Sequence, residues 1–309
     1  MPSVDVPETG HAPAPSSDAY DAVVVGGGAS GLSAALFLAR YGLDVVVFDR
    51  GPSAVRRCAL VENYLGFLGV TPSEFLALGR GHVRVAGGEV VDDLVTDVTR
   101  LDDSGNDDTR FEVVFQDGDP VVARYVVAAS VYDGDYLAGL PGLDHEVGEH
   151  PVPTSDHVGR TAVDGAYVAG WLSGGPHQVL AAAGHGVRVA KAVLADHRVA
   201  VEGFWREAAT HWDWRVDADE YGGEAWRQEV EEWLASTRPG DRSVSDERFE
   251  DVLEAILAER LDFRRSESER DRRRERSRSL LRAVVLNEDE DAVLGDEGPE
   301  HEDDRDAEA

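Results

Sequence analysis

The chain has 309 residues, of which 42% are hydrophobic, and a formal net charge of −31. This charge excludes non-specific binding to nucleic acid or to an anionic membrane, because an acidic surface repels other polyanions. We interpret the charge as an adaptation to concentrated intracellular salt, which screens the self-repulsion, since a disordered regulatory chain would contain fewer hydrophobic residues. The single cysteine excludes an intramolecular disulfide and a cysteine-rich metal site. We therefore expect a cytoplasmic, halophilic protein without a metal.

The chain divides into four predicted parts. Residues 1–18 lack the basic start and apolar stretch of a signal peptide, and we expect a disordered leader. Residues 19–196 are predicted to form an α/β domain, and residues 197–286 a helical region. The acidic residues 287–309 are predicted to be a disordered tail. No apolar run reaches the length of a membrane span.

The first elements predict a site for a dinucleotide. Ala22–Val25 is typical of a strand buried in a parallel sheet, and Ala29–Arg40 has the composition of a helix. Between and within them, Gly26, Gly28 and Gly31 form the pattern GxGxxG. These glycines permit a tight turn, close approach of the backbone to a pyrophosphate, and close helix–strand packing, while the helix N-terminus points at the phosphates.

A second strand completes this pattern. Val45–Phe48 ends at Asp49, about 20 residues past the glycines, where an acid accepts hydrogen bonds from ribose hydroxyls and repels a 2′-phosphate. Strand, glycines, helix, strand and acid follow in order. This order favours a dinucleotide site over a turn without a ligand and predicts a Rossmann-like parallel sheet.

Further elements are predicted downstream from periodicity and turn residues. They are a helix at Pro72–Val85, strands at Glu89–Thr99, Phe111–Phe115, Val121–Ala129 and Ala166–Ala169, and a helix at Gln178–Ala195.

The helical region contains two apolar faces. The first comprises Trp226, Val230, Trp233 and Leu234, and the second runs from Phe249 to Leu261 after a candidate N-cap at Ser245. We interpret both as the core of a helical cap, packed either on the α/β domain or on a second subunit in a homodimer, rather than as a ligand site. In residues 264–282 arginines alternate with acids, which favours a solvated, ion-paired helix over a nucleic-acid-binding arm.

Three separated segments resemble the FAD domain of the thioredoxin-reductase-like branch of the pyridine nucleotide–disulfide oxidoreductases. They are residues 21–50, the sequence VENYLGF at 61–67, and residues 159–193. The resemblance covers residues 20 to about 195 and implies that FAD is the cofactor. The glycines of the first segment would then hold the FAD pyrophosphate.

The resemblance also implies further cofactor-binding residues. Asp49 would bind the adenosine ribose, with Arg50 beside it, and Gly170 follows the last strand of the domain. Asn63 would lie near the flavin ring and Gln178 at its edge. From the residues alone, Asn63 is equally well explained as a turn residue, whereas contact with the flavin is favoured for Gln178 over a place in the first helical turn.

The chain departs from the family in three respects. The redox-active CxxC motif is absent, and about 30 residues separate Ser130 from Thr161, too few for an NAD(P)H domain. Trp171 replaces an aspartate that binds the ribityl chain of the flavin in the family. These departures predict a protein that is unable to reduce disulfides through its own dithiol.

No catalytic residue is assigned. Cys58 is either a thiol near the flavin or, as we favour, a small buried filler, and His177 is either a donor at the flavin edge or an exposed residue at a helix start. The sequence predicts a single-domain FAD-dependent oxidoreductase, reduced by its substrate, by diffusing NAD(P)H or by a redox partner protein. The alternative is a non-catalytic FAD-binding or scaffold protein that acts through a partner.

Overall fold

The computed structural model describes residues 14–51, 53–101, 111–131, 133–212, 214–240 and 243–286. The predicted acidic tail, and the predicted leader apart from residues 14–18, lie outside the described residues. Within the described ranges, no helix combines the length and the apolar composition needed to cross a membrane.

The strands are β1 (Ala19–Val25), β2 (Val45–Phe48), β3 (Glu89–Val91), β4 (Val95–Arg100), β5 (Phe111–Phe115), β6 (Val121–Ala128), β7 (Ala166–Val168), β8 (Val216–Asp217) and β9 (Arg264–Arg265). The helices are α1 (Ala29–Arg40), α2 (Pro72–Val85), α3 (Val179–Ala200), α4 (Gly223–Thr237), α5 (Asp246–Asp262) and α6 (Glu267–Leu286).

Seven of these strands form one sheet, in the order β3-β2-β1-β6-β5-β4, with β7 also paired to β6. β3, β2, β1, β6 and β7 run parallel, whereas β4, β5 and β6 are antiparallel neighbours. Val25 lies beside Phe48 on one side and Ala128 on the other, so β1, β2 and β6 end at the same edge. The predicted α/β class with a parallel, Rossmann-like sheet is confirmed.

The sheet is buried on both faces, as its β-branched strands predict. Leu38 of α1 and Val193 of α3 lie in the cluster of side chains on one face. On the other face, the β4–β5 hairpin folds over β2, where the rings of Phe48 and Phe115 have centroids 4.7 Å apart. The helices and the hairpin thus cover opposite sides of the same sheet.

The prediction of one strand over Glu89–Thr99 is wrong, because the chain turns between β3 and β4. The Asp93 carboxylate accepts hydrogen bonds from the backbone N–H groups of Leu94, at 2.6 Å, and Asp117, at 3.2 Å. This side chain replaces the ladder hydrogen bonds of a continuous strand. β3 pairs with β2, while β4 pairs with β5.

The predicted end of the last helix at Ala195 is also wrong, since α3 continues to Ala200 and crosses the predicted domain boundary at residue 196. Ala195 belongs to the buried cluster of the helical region. Arg198, which is 2% exposed, donates hydrogen bonds to the carbonyl oxygens of Ala209 and His211. Contacts between the last turns of α3 and the C-terminal region thus explain why the helix extends beyond residue 195.

The two apolar faces of the helical region form its core, with one exception. Val230 and Leu234 of α4 pack against the buried face of α5, and Ser245 caps α5 by accepting a hydrogen bond from Arg248 N–H at 3.1 Å. Leu261 is 37% exposed, so its assignment to the buried face is wrong. Phe263, just beyond α5, is buried instead.

Helix α6 combines ion pairs with packing on the α/β domain. Arg274 pairs with Asp271 at 3.3 Å, as expected for an ion-paired helix. Leu280 packs so closely on α2 that a Cβ on Gly81 would lie 2.7 Å from its Cδ1 atom. The helical region therefore packs on its own α/β domain, and its packing on a second subunit stays a prediction.

A polar network joins α3 to α5. The Glu259 carboxylate accepts hydrogen bonds from Arg198, at 2.5 Å, and from His211, at 3.0 Å. Burial would raise the pKa of Glu259, but the His211 hydrogen bond and the Arg198 charge outweigh burial and lower it from its ordinary value of 4.5. Glu259 therefore stabilises the fold fully at a pH above its ordinary pKa of 4.5. This stabilisation is lost as the pH falls through the lower pKa of the folded state.

We predict that Glu259→Gln lowers the free energy of unfolding by about 3 kcal/mol at neutral pH, because it leaves the buried Arg198 uncompensated. Chemical denaturation followed by circular dichroism measures the loss, which should shrink as the medium is acidified. The control is Glu254→Gln, since Glu254 is an exposed partner of Arg227 and its replacement should have no measurable effect. Equal stability of the two variants would contradict the assignment.

Candidate functional site

The turn between β1 and α1 is held by contacts between backbones. Gly26 has φ +107°, and a Cβ on it would lie 2.7 Å from the carbonyl oxygen of Ala129. A Cβ on Gly31 would lie 1.9 Å from the carbonyl oxygen of Gly26. At both positions the protein itself requires glycine, whether or not a ligand binds.

Gly28 has a different environment. It is the N-cap residue of α1 with φ −83°, a conformation that any residue adopts. A Cβ there would meet only the Ser53 hydroxyl, at 3.4 Å. The fold therefore tolerates a side chain at Gly28, and the space beside it faces the N-terminal N–H groups of α1, which carry the positive end of the helix dipole. Such a space fits a phosphate.

Asp49 lies directly against this turn. It is 9% exposed, and a Cβ on Gly27 would lie 2.5 Å from its carboxyl carbon. Its Oδ2 atom pairs with the guanidinium of Arg80 from α2. The Arg80 Nε atom is buried, with no hydrogen-bond partner among the described residues. Oδ1 is the atom that a ribose hydroxyl would approach, and Arg80 holds the carboxylate in place for it.

Arg80 was not found from the sequence, because nothing in the spacing of α2 relates it to Asp49. Arg50, by contrast, was predicted, but the structure does not bring its guanidinium to the glycine turn. Arg50 donates to Gln116 Oε1 at 3.1 Å and pairs with Asp93 and Asp117, at the ends of the β4–β5 hairpin. Its pKa is raised by the hydrogen bond to Asp117.

Asn63 and Gln178 are brought together. The Asn63 Nδ2 atom donates a hydrogen bond to Gln178 Oε1 at 2.6 Å, across a sequence separation of 115 residues. Gln178 is the N-cap residue of α3. The two residues that the resemblance places near a flavin ring thus share one location at a helix N-terminus.

Gly170 forms the turn after β7. It has φ +71°, and a Cβ there would lie 2.4 Å from the Ser30 hydroxyl, so this turn packs on the start of α1. Its N–H donates to His185 Nδ1 at 2.9 Å. Burial and the charge of Arg188 lower the pKa of His185, which keeps the ring neutral and able to accept this hydrogen bond.

Trp171 lies between two imidazole rings. Its ring stacks on His177, with centroids 3.3 Å apart, and on His150 at 5.2 Å. His150 also donates a hydrogen bond from Nε2 to the Trp171 carbonyl oxygen at 3.1 Å. An indole held in this way offers a flat surface, whereas the aspartate of the resembled family offers hydrogen-bond acceptors.

Two further predictions concern Cys58 and metal ligands. Cys58 is exposed, so the favoured interpretation of it as a buried filler is wrong. In the part of the chain that the structure describes, no group of three or more His, Cys, Asp or Glu side chains is arranged to hold a metal ion.

Parts of this chain are similar to known proteins. Residues 21–57 match the family DAO, described as FAD dependent oxidoreductase. The predicted resemblance is confirmed. A stretch of 131 residues, 42% of this chain, is 33% identical to the probable thioredoxin reductase of Arthroderma benhamiae, and covers 32% of that protein. A stretch of 39 residues, 13% of this chain, is 59% identical to the probable electron transfer flavoprotein-quinone oxidoreductase YdiS of Escherichia coli, over 9% of its length.

Two solved structures are similar to part of this chain. Thioredoxin reductase from T. acidophilum is 17% identical, with a TM-score of 0.47 over 57% of this chain and 98% of that one. HlmI is 21% identical, with a TM-score of 0.49 over 59% of this chain and 94% of that one. The matched stretches span a third or less of the curated relatives.

We predict that Gly31→Ala lowers the free energy of unfolding of the ligand-free protein by about 3 kcal/mol or more, because a methyl group overlaps the Gly26 carbonyl oxygen. Gly28→Ala should change it by no more than about 1 kcal/mol, the cost of alanine at an N-cap. Chemical denaturation of both variants makes the comparison. A large loss in Gly28→Ala would mean that the fold, rather than a ligand, requires this glycine.

Proposed function

We propose that this chain is an FAD-dependent oxidoreductase with one nucleotide-binding domain, which receives electrons from a partner protein. The observation that carries the proposal is Gly28, where the fold tolerates a side chain that a bound pyrophosphate would exclude. The match of residues 21–57 to FAD dependent oxidoreductases supports FAD as the dinucleotide.

The residues present fit FAD along the carboxyl edge of the sheet. Gly26 and Gly28 would hold the pyrophosphate at the N-terminus of α1, and Asp49, oriented by Arg80, would bind the adenosine ribose. The hydrogen-bonded pair of Asn63 and Gln178 would bind the flavin ring. The N-terminus of α3 beside it stabilises negative charge at the ring. When bound, the flavin supplies hydride and single-electron transfer, while these residues bind and orient it.

The chain differs chemically from the thioredoxin reductases that it resembles. Its sole cysteine, Cys58, lacks a second thiol within the chain with which to form a redox-active disulfide. We therefore propose that the electrons do not leave through a dithiol of this chain. Reduction of a substrate at the flavin itself is the remaining route by which these electrons leave.

The electron donor is inferred from two features. The connection between β6 and β7 spans residues 129–165. Its described part forms turns and a short 3₁₀ helix at Asp135–Leu137, and no second nucleotide-binding fold. The loop that carries Asn63 exposes two leucines, Leu65 at 89% and Leu68 at 100%. Exposed apolar side chains beside the ring position suit contact with a redox partner protein.

The alternative, a non-catalytic FAD-binding or scaffold protein, is favoured by Trp171 alone. Its stacking on His150 and His177 replaces hydrogen-bond acceptors at the ribityl position. Such a protein would bind FAD at the same turn but would not pass electrons to any partner or substrate.

We predict that the protein binds one FAD non-covalently, and that Gly28→Val retains less than about a tenth of it, because the side chain fills the space of the pyrophosphate. The flavin absorbance per chain after purification in molar salt measures retention. Gly240→Val is the control, since a Cβ on Gly240 meets nothing within 4 Å. If Gly28→Val retained as much flavin as the parent, the assigned site would be wrong.

We predict that stoichiometric NADPH or NADH bleaches the bound flavin slowly or not at all, because the described residues between β6 and β7 form no second nucleotide-binding fold to hold a nicotinamide in near-attack geometry. Dithionite should bleach it readily. Anaerobic stopped-flow absorbance without an added partner distinguishes these results. Fast, saturable bleaching at low NADPH would contradict the proposed donor, while failure with dithionite would contradict a redox-active flavin.

A further inference from the structure

A cavity of about 540 Å³ lies where the C-terminal ends of α1 and α2 meet the helical region. It is remote from the glycine turn, which lies at the opposite end of α1. Five of its lining residues are basic: Arg40, His82, Arg215, Arg265 and Arg273. Such a concentration of cations is unexpected in a chain with 61 acidic residues and only 30 lysines and arginines.

The Arg215 side chain, which is 20% exposed, lines this basic cavity. Its guanidinium stacks on the Phe263 ring, 3.7 Å from the centroid, and donates one hydrogen bond to the Arg40 carbonyl oxygen. Its Nη1 atom is buried and has no hydrogen-bond partner among the described residues. The Asp262 carboxylate is 3.9 Å from Nη1 and 82% exposed, which makes it a weak counterion.

The other cations are arranged around Arg215. Arg265 donates to the carbonyl oxygens of Asp262 and Arg264 at 2.6 and 2.7 Å. Arg40 and Arg273 are exposed at the mouth, and within the described residues neither side chain has a hydrogen bond or an ion pair. Two guanidinium groups therefore face the opening of the cavity without a protein acceptor.

The cations repel one another. Burial and the charges of Arg265 and Arg40 lower the pKa of Arg215 to about 10. Partial desolvation by the surrounding chain and the charge of Arg265 likewise lower the pKa of Arg273, although Glu269 opposes this. Burial and the charge of Arg40 lower the pKa of His82, which is neutral at physiological pH.

The acidic groups that face the cavity do not neutralise it. Glu259 is already hydrogen-bonded to Arg198 and His211, and Asp262 is largely exposed. Four guanidinium groups thus face two carboxylates, one of which is already paired. An anion that enters the cavity would relieve the repulsion and supply acceptors for Arg215 Nη1 and for the arginines at the mouth.

We propose that this cavity binds a small phosphorylated molecule through Arg40, Arg215 and Arg273. The planar donor fork of arginine matches the oxygen atoms of a phosphate group, and arginine is used for this purpose more readily than lysine. The volume exceeds that of a single phosphate and admits the remainder of a small metabolite. Nucleic acid is excluded as the ligand by the repulsion from the net charge of −31.

Inorganic pyrophosphate is the probe, titrated into the full chain by isothermal calorimetry at one fixed concentration of potassium chloride. We expect saturable binding by the parent protein. The double substitution Arg40→Gln and Arg273→Gln should weaken it about tenfold or more, because two charge-assisted hydrogen bonds are lost. Both side chains are exposed, so the variant should fold, which circular dichroism verifies.

The matched control is Arg274→Gln with Arg278→Gln, which removes the same charge from the exposed face of α6, where both arginines pair with acids of their own helix. Binding should be unchanged in this variant. Absence of saturable binding by the parent would overturn the proposal. Equal weakening in the two variants would also overturn it, because the effect would then come from net charge rather than from this cavity.

Discussion

The α/β domain depends on close approach between backbones at the start of α1. A Cβ on Gly31 would lie 1.9 Å from the Gly26 carbonyl oxygen, and a Cβ on Gly186 of α3 would lie 2.0 Å from that of Ser30. Only glycine permits these distances. They fix α1 between the end of β1 and helix α3, and so direct its N-terminus at the carboxyl edge of the sheet. The positions of the other site residues follow from this placement of α1.

This packing explains how distant segments form one site. Asp49 follows β2, which runs parallel to β1, and therefore lies beside the turn. Gly170 contacts Ser30 from the other side, and Gln178 follows it at the start of α3. Asn63 reaches Gln178 from the segment after β2. The arrangement places a ribose acceptor, a phosphate space and a polar amide pair along one edge, the order that an extended dinucleotide requires.

The sequence predicted the helices and strands that depend on residues near one another in the chain. Strand, glycines, helix and strand over residues 22–48 were recognised because periodicity and glycine spacing are properties of neighbouring residues. Residues defined by long-range contacts were missed or misjudged. The Asp93 carboxylate accepts a hydrogen bond from the Asp117 N–H and interrupts the strand after β3. Helix α3 continues because Arg198 binds to Glu259 in the helical region. Arg80 pairs with Asp49 only in the folded chain. The basic cavity is lined by residues of α1, α2, α5, β9 and α6 and by Arg215, and no pattern along the chain indicated it.

The central claim is that the turn between β1 and α1 binds FAD and that the amide pair marks the position of its ring. A crystal structure of the protein in complex with FAD tests this claim most directly. The account predicts the pyrophosphate beside Gly28, a ribose hydroxyl on Asp49, and the flavin ring in contact with Asn63 or Gln178. FAD bound elsewhere on the chain, or bound at the turn with its ring directed away from Gln178, would contradict it.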